Sequence, residues 1–166
     1  MTRAYLALGS NLGDRLGMLQ RAVDLLIAVE GVRVVRSSRV FETAPVGPPQ
    51  PPFLNAVVEA ETSLDPHALL RACLGVEDEL GRQRLERWGP RSIDVDVLSF
   101  DELEIDEPDL RIPHPRMHQR AFVLAPLGEL DADPPLPGGR RLAEISLPPA
   151  DLLGVRPFAP PLRVPT

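Results

Sequence analysis

Apolar and polar positions alternate at the start of the chain. Ala4, Leu6 and Leu8 fall on one side and Tyr5 and Ala7 on the other, before Gly9-Ser10-Asn11 turns the backbone. A period of two predicts a strand running into a turn. The period then lengthens: Leu16, Leu19, Val23, Leu26 and Ile27 recur at helical spacing behind Asp14, a capping residue, and Gly31 stops the run. Val32 to Glu42 reads as a second strand. Phe53 to Thr62 reads as a third, with Leu54, Ala56, Val58 and Ala60 on one face and Phe53, Asn55 and Val57 on the other. Asp65-Pro66 opens a second amphipathic helix through Leu69, Cys73, Val76 and Leu80 to Gly81, and Ser92 to Phe100 reads as a fourth strand. The order β-α-β-β-α-β is the split βαβ pattern of a ferredoxin-like α+β sandwich. In that architecture an antiparallel sheet carries both helices on one face and leaves the other for an active site.

One strand breaks the apolar rule in an informative way. In Ser92-Ile93-Asp94-Val95-Asp96-Val97-Leu98 the apolar residues Ile93, Val95 and Val97 share a face, which puts Asp94 and Asp96 side by side on the other. Asp is disfavoured in strands, and two like charges held that close repel unless a cation sits between them. Oxygen ligands without nearby Cys or paired His favour Mg²⁺, which takes one or two carboxylates and completes its shell with water and phosphate oxygens. Two aspartates on a solvent-facing sheet surface are the plainer alternative. The approach to the strand weighs against it: residues 81–91 hold four arginines and one acid in eleven residues, a composition suited to an anion.

Composition narrows the function class. A chain of 166 residues fits one domain. We place that domain at residues 1–147, followed by a Pro-rich, extended tail at 148–166. The sequence has no apolar run behind a basic start and no stretch long enough to span a bilayer, so a cytoplasmic protein without membrane partners is expected. A net charge of −6 argues against broad nucleic-acid binding and for a small-molecule partner. All 18 basic residues are Arg. The absence of Lys removes a P-loop lysine, a Schiff base and a lysine general base, and leaves phosphate binding to guanidinium groups. The lone Cys73 lies among Leu69, Leu70, Val76 and Leu80 and reads as a core thiol. The six acids between Asp101 and Asp109 read as a solvated hairpin or loop. Two connections, residues 44–52 and 82–91, are long enough to be functional.

Taken in order, Ala7-Leu8-Gly9-Ser10-Asn11-Leu12-Gly13, Glu42-Thr43-Ala44-Pro45, Phe53-Leu54-Asn55-Ala56, Arg87-Trp88-Gly89-Pro90-Arg91-Ser92-Ile93-Asp94-Val95-Asp96 and Ile112-Pro113-His114-Pro115 resemble the 6-hydroxymethyl-7,8-dihydropterin pyrophosphokinases of folate biosynthesis. The resemblance covers Thr2 to Glu144. It implies transfer of pyrophosphate from ATP to a pterin alcohol, and the chain is expected to be a monomer. It further implies two Mg²⁺ ions held by Asp94 and Asp96, and Arg82 and Arg91 engaging the triphosphate. Arg84 and Trp88 would belong to a closing loop, with Glu77, Val97, His114 and Arg120 lining the ATP site. Phe53 and Phe122 would sandwich the pterin, Asn55 would read its amide edge, and Thr43, Pro45 and Val46 would meet its polar rim.

The chain departs from the family pattern in places. Leu85 stands where some members have Lys, in a shortened loop, and Phe53 and Pro115 stand where Tyr is frequent, so contacts made by those hydroxyls are absent. Two other readings compete. A palm-type two-metal nucleotidyltransferase predicts a further acidic ligand from another strand and no aromatic clamp. A non-catalytic nucleotide-binding module does not require the full set Asp94, Asp96, Arg82 and Arg91.

Overall fold

The computed structural model describes residues 1–44, 49–81, 92–147 and 154–165. Among the described residues these strands and α-helices follow one another: β1 (Thr2–Ser10), α1 (Arg15–Ile27), β2 (Val32–Ser37), β3 (Val40–Thr43), β4 (Phe53–Thr62), α2 (Pro66–Glu79), β5 (Asp94–Phe100), β6 (Ile105–Asp106), β7 (Arg111–Ile112), α3 (Ala121–Leu130) and β8 (Val155–Ala159). Local chemistry fixes the helix starts. The Asp14 carboxylate accepts the Gly17 N–H at 3.0 Å, and that of Asp65 accepts the Ala68 N–H at 2.8 Å, ahead of Pro66 in the first turn. Gly31, with φ at +89°, turns the chain out of α1.

The main sheet runs β5-β1-β4-β3-β8, with β2 also paired to β4. The stretch 32–42, expected as one strand, is two. Ser38 interrupts it by giving its backbone N–H to Val57 O at 2.9 Å and taking the Val57 N–H on its hydroxyl at 2.9 Å. β2 and β3 therefore pair with successive stretches of one β4 edge.

Strand alternation feeds two separate apolar clusters. Leu6, Leu8, Leu54, Ala56, Val58, Val95 and Val97 pack with Leu19, Val23 and Leu26 of α1 and Leu69, Cys73 and Val76 of α2. Residues of opposite parity, Tyr5, Val57 and Leu98, pack instead with Val123, Leu124, Leu127 and Leu130 of α3. Both α1 and α2 pack on the first of these faces. A third helix, not legible in the periodicity, covers part of the second face because that part is apolar. The Tyr5 hydroxyl, 3.1 Å from Asp131 Oδ2, pins β1 to the end of α3.

Within the Pro-rich tail, the described residues 154–165 include a strand: β8 pairs antiparallel with β3. Beyond it Leu162 is buried in the first cluster. The acidic stretch forms the hairpin of β6 and β7. Among the described residues no helix is long and apolar enough to cross a membrane.

Candidate active site

The sheet register assembles the candidate residues. Phe41, Asn55, Gly9 and Asp94 are consecutive partners across β3, β4, β1 and β5. The next row towards α3 runs Val57, Ala7 and Asp96, and Thr43 faces Phe53 at the other end. Directly paired residues present their side chains on the same side of a sheet. Thr43, Phe53, Asn55, Asp94 and Asp96 therefore share a surface with Val57, on the side where α3 packs. Gly9 keeps that surface open: a Cβ there would stand 3.0 Å from Asn55 Nδ2 and 3.9 Å from Phe53 Cδ1. The alternation read for Ile93, Val95 and Val97 holds, with all three buried, Asp94 half-buried and Asp96 exposed.

Two polar atoms on this surface are uncompensated. Asn55 Oδ1 and Thr43 Oγ1 are buried and have no hydrogen-bond partner among the described residues. A buried acceptor without a donor costs about 1–3 kcal/mol.

The strand that carries the aspartates is held from α2. Glu77 is 3% exposed, and its Oε2 accepts the N–H of Val95, the residue between Asp94 and Asp96, at 2.8 Å. Among the described residues β5 pairs with β1 alone in the main sheet, so this carboxylate serves its outer edge. Val97, expected beside a nucleotide, has its side chain in the apolar cluster of α1 and α2.

His114 and Arg120 come from the segment between β7 and α3. The His114 N–H donates to Leu98 O at 2.8 Å, which seats the imidazole beside β5. Burial, then the positive charges of Arg120 and Arg116, push its pKa down to about 4, so it is neutral near pH 7. Its Nδ1 accepts the Arg116 N–H at 3.2 Å, which leaves the ring proton on Nε2 as a donor. Burial lowers the Arg120 pKa, while Asp96 and Asp94 pull it back up, placing that cation within the field of both aspartates. The same guanidinium lies 5.6 Å from the centroid of the Phe122 ring. Arg82, Arg84, Trp88, Arg91, Pro45 and Val46 lie outside the described residues.

Sequence reasoning did not find the Glu77 bond to β5, although an acid on the core-facing stripe of α2 was the available signal. Nor did it join His67 to the acidic hairpin. Nε2 of His67 lies 2.6 Å from Glu107 Oε2, with Asp109 close by, in an exposed group that could take a cation.

Comparison with known proteins places the chain in a family. Residues 5–132 match the family model described as 7,8-dihydro-6-hydroxymethylpterin-pyrophosphokinase. A Methylorubrum extorquens protein named 2-amino-4-hydroxy-6-hydroxymethyldihydropteridine pyrophosphokinase is 50% identical over 134 residues, 80% of this chain and 85% of that one. A Bacillus subtilis protein of the same name is 51% identical over 128 residues, 76% and 77% of the two chains. Among solved structures, one described as HPPK-DHPS in complex with substrates aligns with a TM-score of 0.62 at 14% identity, over 78% of this chain. The chain spans 40% of that larger molecule, and the likeness speaks for the shared fold. On the family match and the identity to two full-length relatives, the chain belongs to the 7,8-dihydro-6-hydroxymethylpterin pyrophosphokinase family.

Proposed function

We propose that this chain, as an ATP-dependent pyrophosphokinase, transfers the terminal pyrophosphoryl group of ATP to the hydroxymethyl oxygen of 6-hydroxymethyl-7,8-dihydropterin. The substrate oxygen bonds to the β-phosphorus, the bond from that phosphorus to the α,β-bridging oxygen breaks, AMP leaves and the hydroxyl proton passes to solvent. We read the frame as ferredoxin-like, with the site on the face opposite α1 and α2.

The observation that carries this reading is the pairing of an amide-reading end and an acidic end on one sheet surface. Asn55 and Asp94 lie on either side of Gly9, two strand spacings or about 10 Å apart. That span suits a flat bicyclic ring at one end and a phosphate chain at the other. Asn55 Oδ1 and Thr43 Oγ1 await polar partners on the pterin, and Phe53 and Phe122 offer aromatic walls to its ring.

The donor set of Asp94 and Asp96 is oxygen only, beside an arginine and a neutral histidine, and fits Mg²⁺. When bound, two such ions would neutralise the triphosphate and polarise the phosphorus under attack. The chain's own residues supply the rest. Arg120 places a fixed cation near the acidic pair, and His114 offers Nε2–H to a phosphate oxygen. Glu77 fixes the β5 backbone between the aspartates, and Val97 contributes its backbone rather than its side chain. Arg82, Arg84, Trp88 and Arg91 bring guanidinium groups and an indole from the adjoining segment, and Pro45 and Val46 border the pterin. Pyrophosphoryl transfer asks for such positioning and charge stabilisation more than for covalent help.

The test is AMP release from ATP and Mg²⁺, with and without the pterin. Pterin-dependent AMP formation that disappears in Asp96→Ala is the expected result. AMP formation indifferent to the pterin would overturn the assignment.

A further inference from the structure

The strand ends that carry Thr43 and Phe53 are joined by residues 44–52, and what holds those ends together is unusual. Thr43 and Phe53 are the last paired residues of β3 and β4. Beyond them the returning segment, Pro49-Gln50-Pro51-Pro52, has three prolines among its four residues. Proline has no N–H, so this segment cannot extend the ladder with β3, and its carbonyls need donors from elsewhere. Those donors come from the start of α1 and the turn before it. Arg15 Nη1 donates to Pro52 O at 2.9 Å and, in the same geometry, to Glu42 Oε2 at 3.0 Å. Asn11 Nδ2 donates to Pro51 O at 3.0 Å and to Gln50 Oε1 at 2.9 Å.

Arg15 thus touches the chain one residue before Thr43 and one residue before Phe53. The Arg15 and Glu42 side chains are only 23% and 27% exposed, so the ion pair is shielded in part from solvent. Its guanidinium carbon also sits 5.4 Å from the centroid of the Phe158 ring on β8, and the Ala44 N–H donates to Gly154 O at 3.2 Å, just ahead of β8. The bridge therefore rests on three elements: α1, the β3–β4 pair and the C-terminal strand.

We propose that Arg15 is a positioning residue for the pterin. By bridging Glu42 and Pro52 it fixes the separation of Thr43 and Phe53, and so sets affinity for the ring without touching the phosphate chain. The inference rests on the pyrophosphokinase reading above and adds a specificity determinant to it.

Arg15→Met keeps the length of the stem and removes both bonds. With full-length protein, the KM for 6-hydroxymethyl-7,8-dihydropterin is expected to rise about tenfold, the cost of a small misplacement of a binding group. The KM for ATP should stay within about twofold, as for a site with no shared contact. Amide exchange in peptides covering residues 42–44 and 53–55 should quicken in the absence of substrates. Glu42→Gln, which weakens one arm of the bridge, should give a smaller rise, and the double variant should cost less than the sum of the two. Parallel loss of pterin and ATP affinity, or unchanged pterin KM and exchange, would overturn the proposal. Wild-type protein that releases no pterin-dependent AMP would instead overturn the assigned activity. If Arg15→Met does not fold, the Glu42→Gln split between the two KM values decides the question.

Discussion

The two faces of this sheet are drawn from the same strands and could hardly differ more. Towards α1 and α2, β1 contributes Leu6 and Leu8, β4 contributes Leu54, Ala56 and Val58, and β5 contributes Val95 and Val97, all buried against one another. One residue along each strand the side chains are Ala7 and Gly9, Asn55 and Val57, Asp94 and Asp96. The first face is consistent at every level, from periodicity to packing, and reads as stability. The second carries a pair of acids and, beside them, two buried acceptors without a partner among the described residues, which cost folding free energy. A surface that departs from local consistency just where three strands meet is where binding is expected.

If that division is sound, substitutions on the two faces should have opposite signatures. The largest effect should come from Asp96→Ala. Loss of a proposed metal carboxylate should cut pterin-dependent AMP formation on the order of 10³-fold, while stability by urea denaturation changes by less than about 0.5 kcal/mol, as for other exposed positions. Leu26→Ala, on the opposite face, should lose about 2–5 kcal/mol of stability and leave the kinetic constants of the folded protein unaltered. Asn55→Ala sharpens the contrast further. Its Oδ1 has no partner among the described residues, so the truncation should weaken pterin binding by about 1–3 kcal/mol with little or no loss of stability. A pterin fluorescence titration beside a denaturation curve would measure both. A stability loss matching that of Leu26→Ala would dissolve the distinction between the faces.

The smallest effect concerns pH. His114 is held at a pKa of about 4, against an ordinary value of 6.5, by burial and by Arg120 and Arg116. Between those two values the unfolded chain binds a proton that the native chain does not, so this residue's contribution is present above pH 6.5 and is lost as pH falls towards 4. His114→Asn should flatten the rise in urea midpoint across that window. A wild-type midpoint already flat there would show that the imidazole titrates normally.

Most of the frame was legible because the governing signals are local. Period two in β1, β4 and β5, period 3.6 in α1 and α2, and the caps Asp14 and Asp65 each sit within a few residues of what they determine. The acidic pair was legible for the same reason, since alternation alone puts Asp94 and Asp96 together. What escaped depends on distant partners. The break at Ser38 is set by Val57, nineteen residues away in sequence. α3 is apolar nearly all round, with Pro126 inside it, so it has no polar stripe to announce a helix, and it is recognisable only from the Tyr5, Val57 and Leu98 patch it covers. β8 contains Pro157 and reads as tail until β3 offers it an edge. The orphaned acceptors of Thr43 and Asn55 are likewise invisible in a sequence, because orphanhood is a property of the neighbourhood.

Cys73 has a practical consequence for anyone wishing to watch this protein at work. It is the chain's one cysteine. It is fully buried, and burial together with the charges of Glu77 and Asp96 pushes its pKa up to about 12, so a maleimide at neutral pH passes it by. The natural chain is therefore a silent background for thiol labelling. A dye on a cysteine placed at the exposed Pro49 would report on the pterin end of the sheet, and the same dye at the exposed Glu102 would serve as its reference.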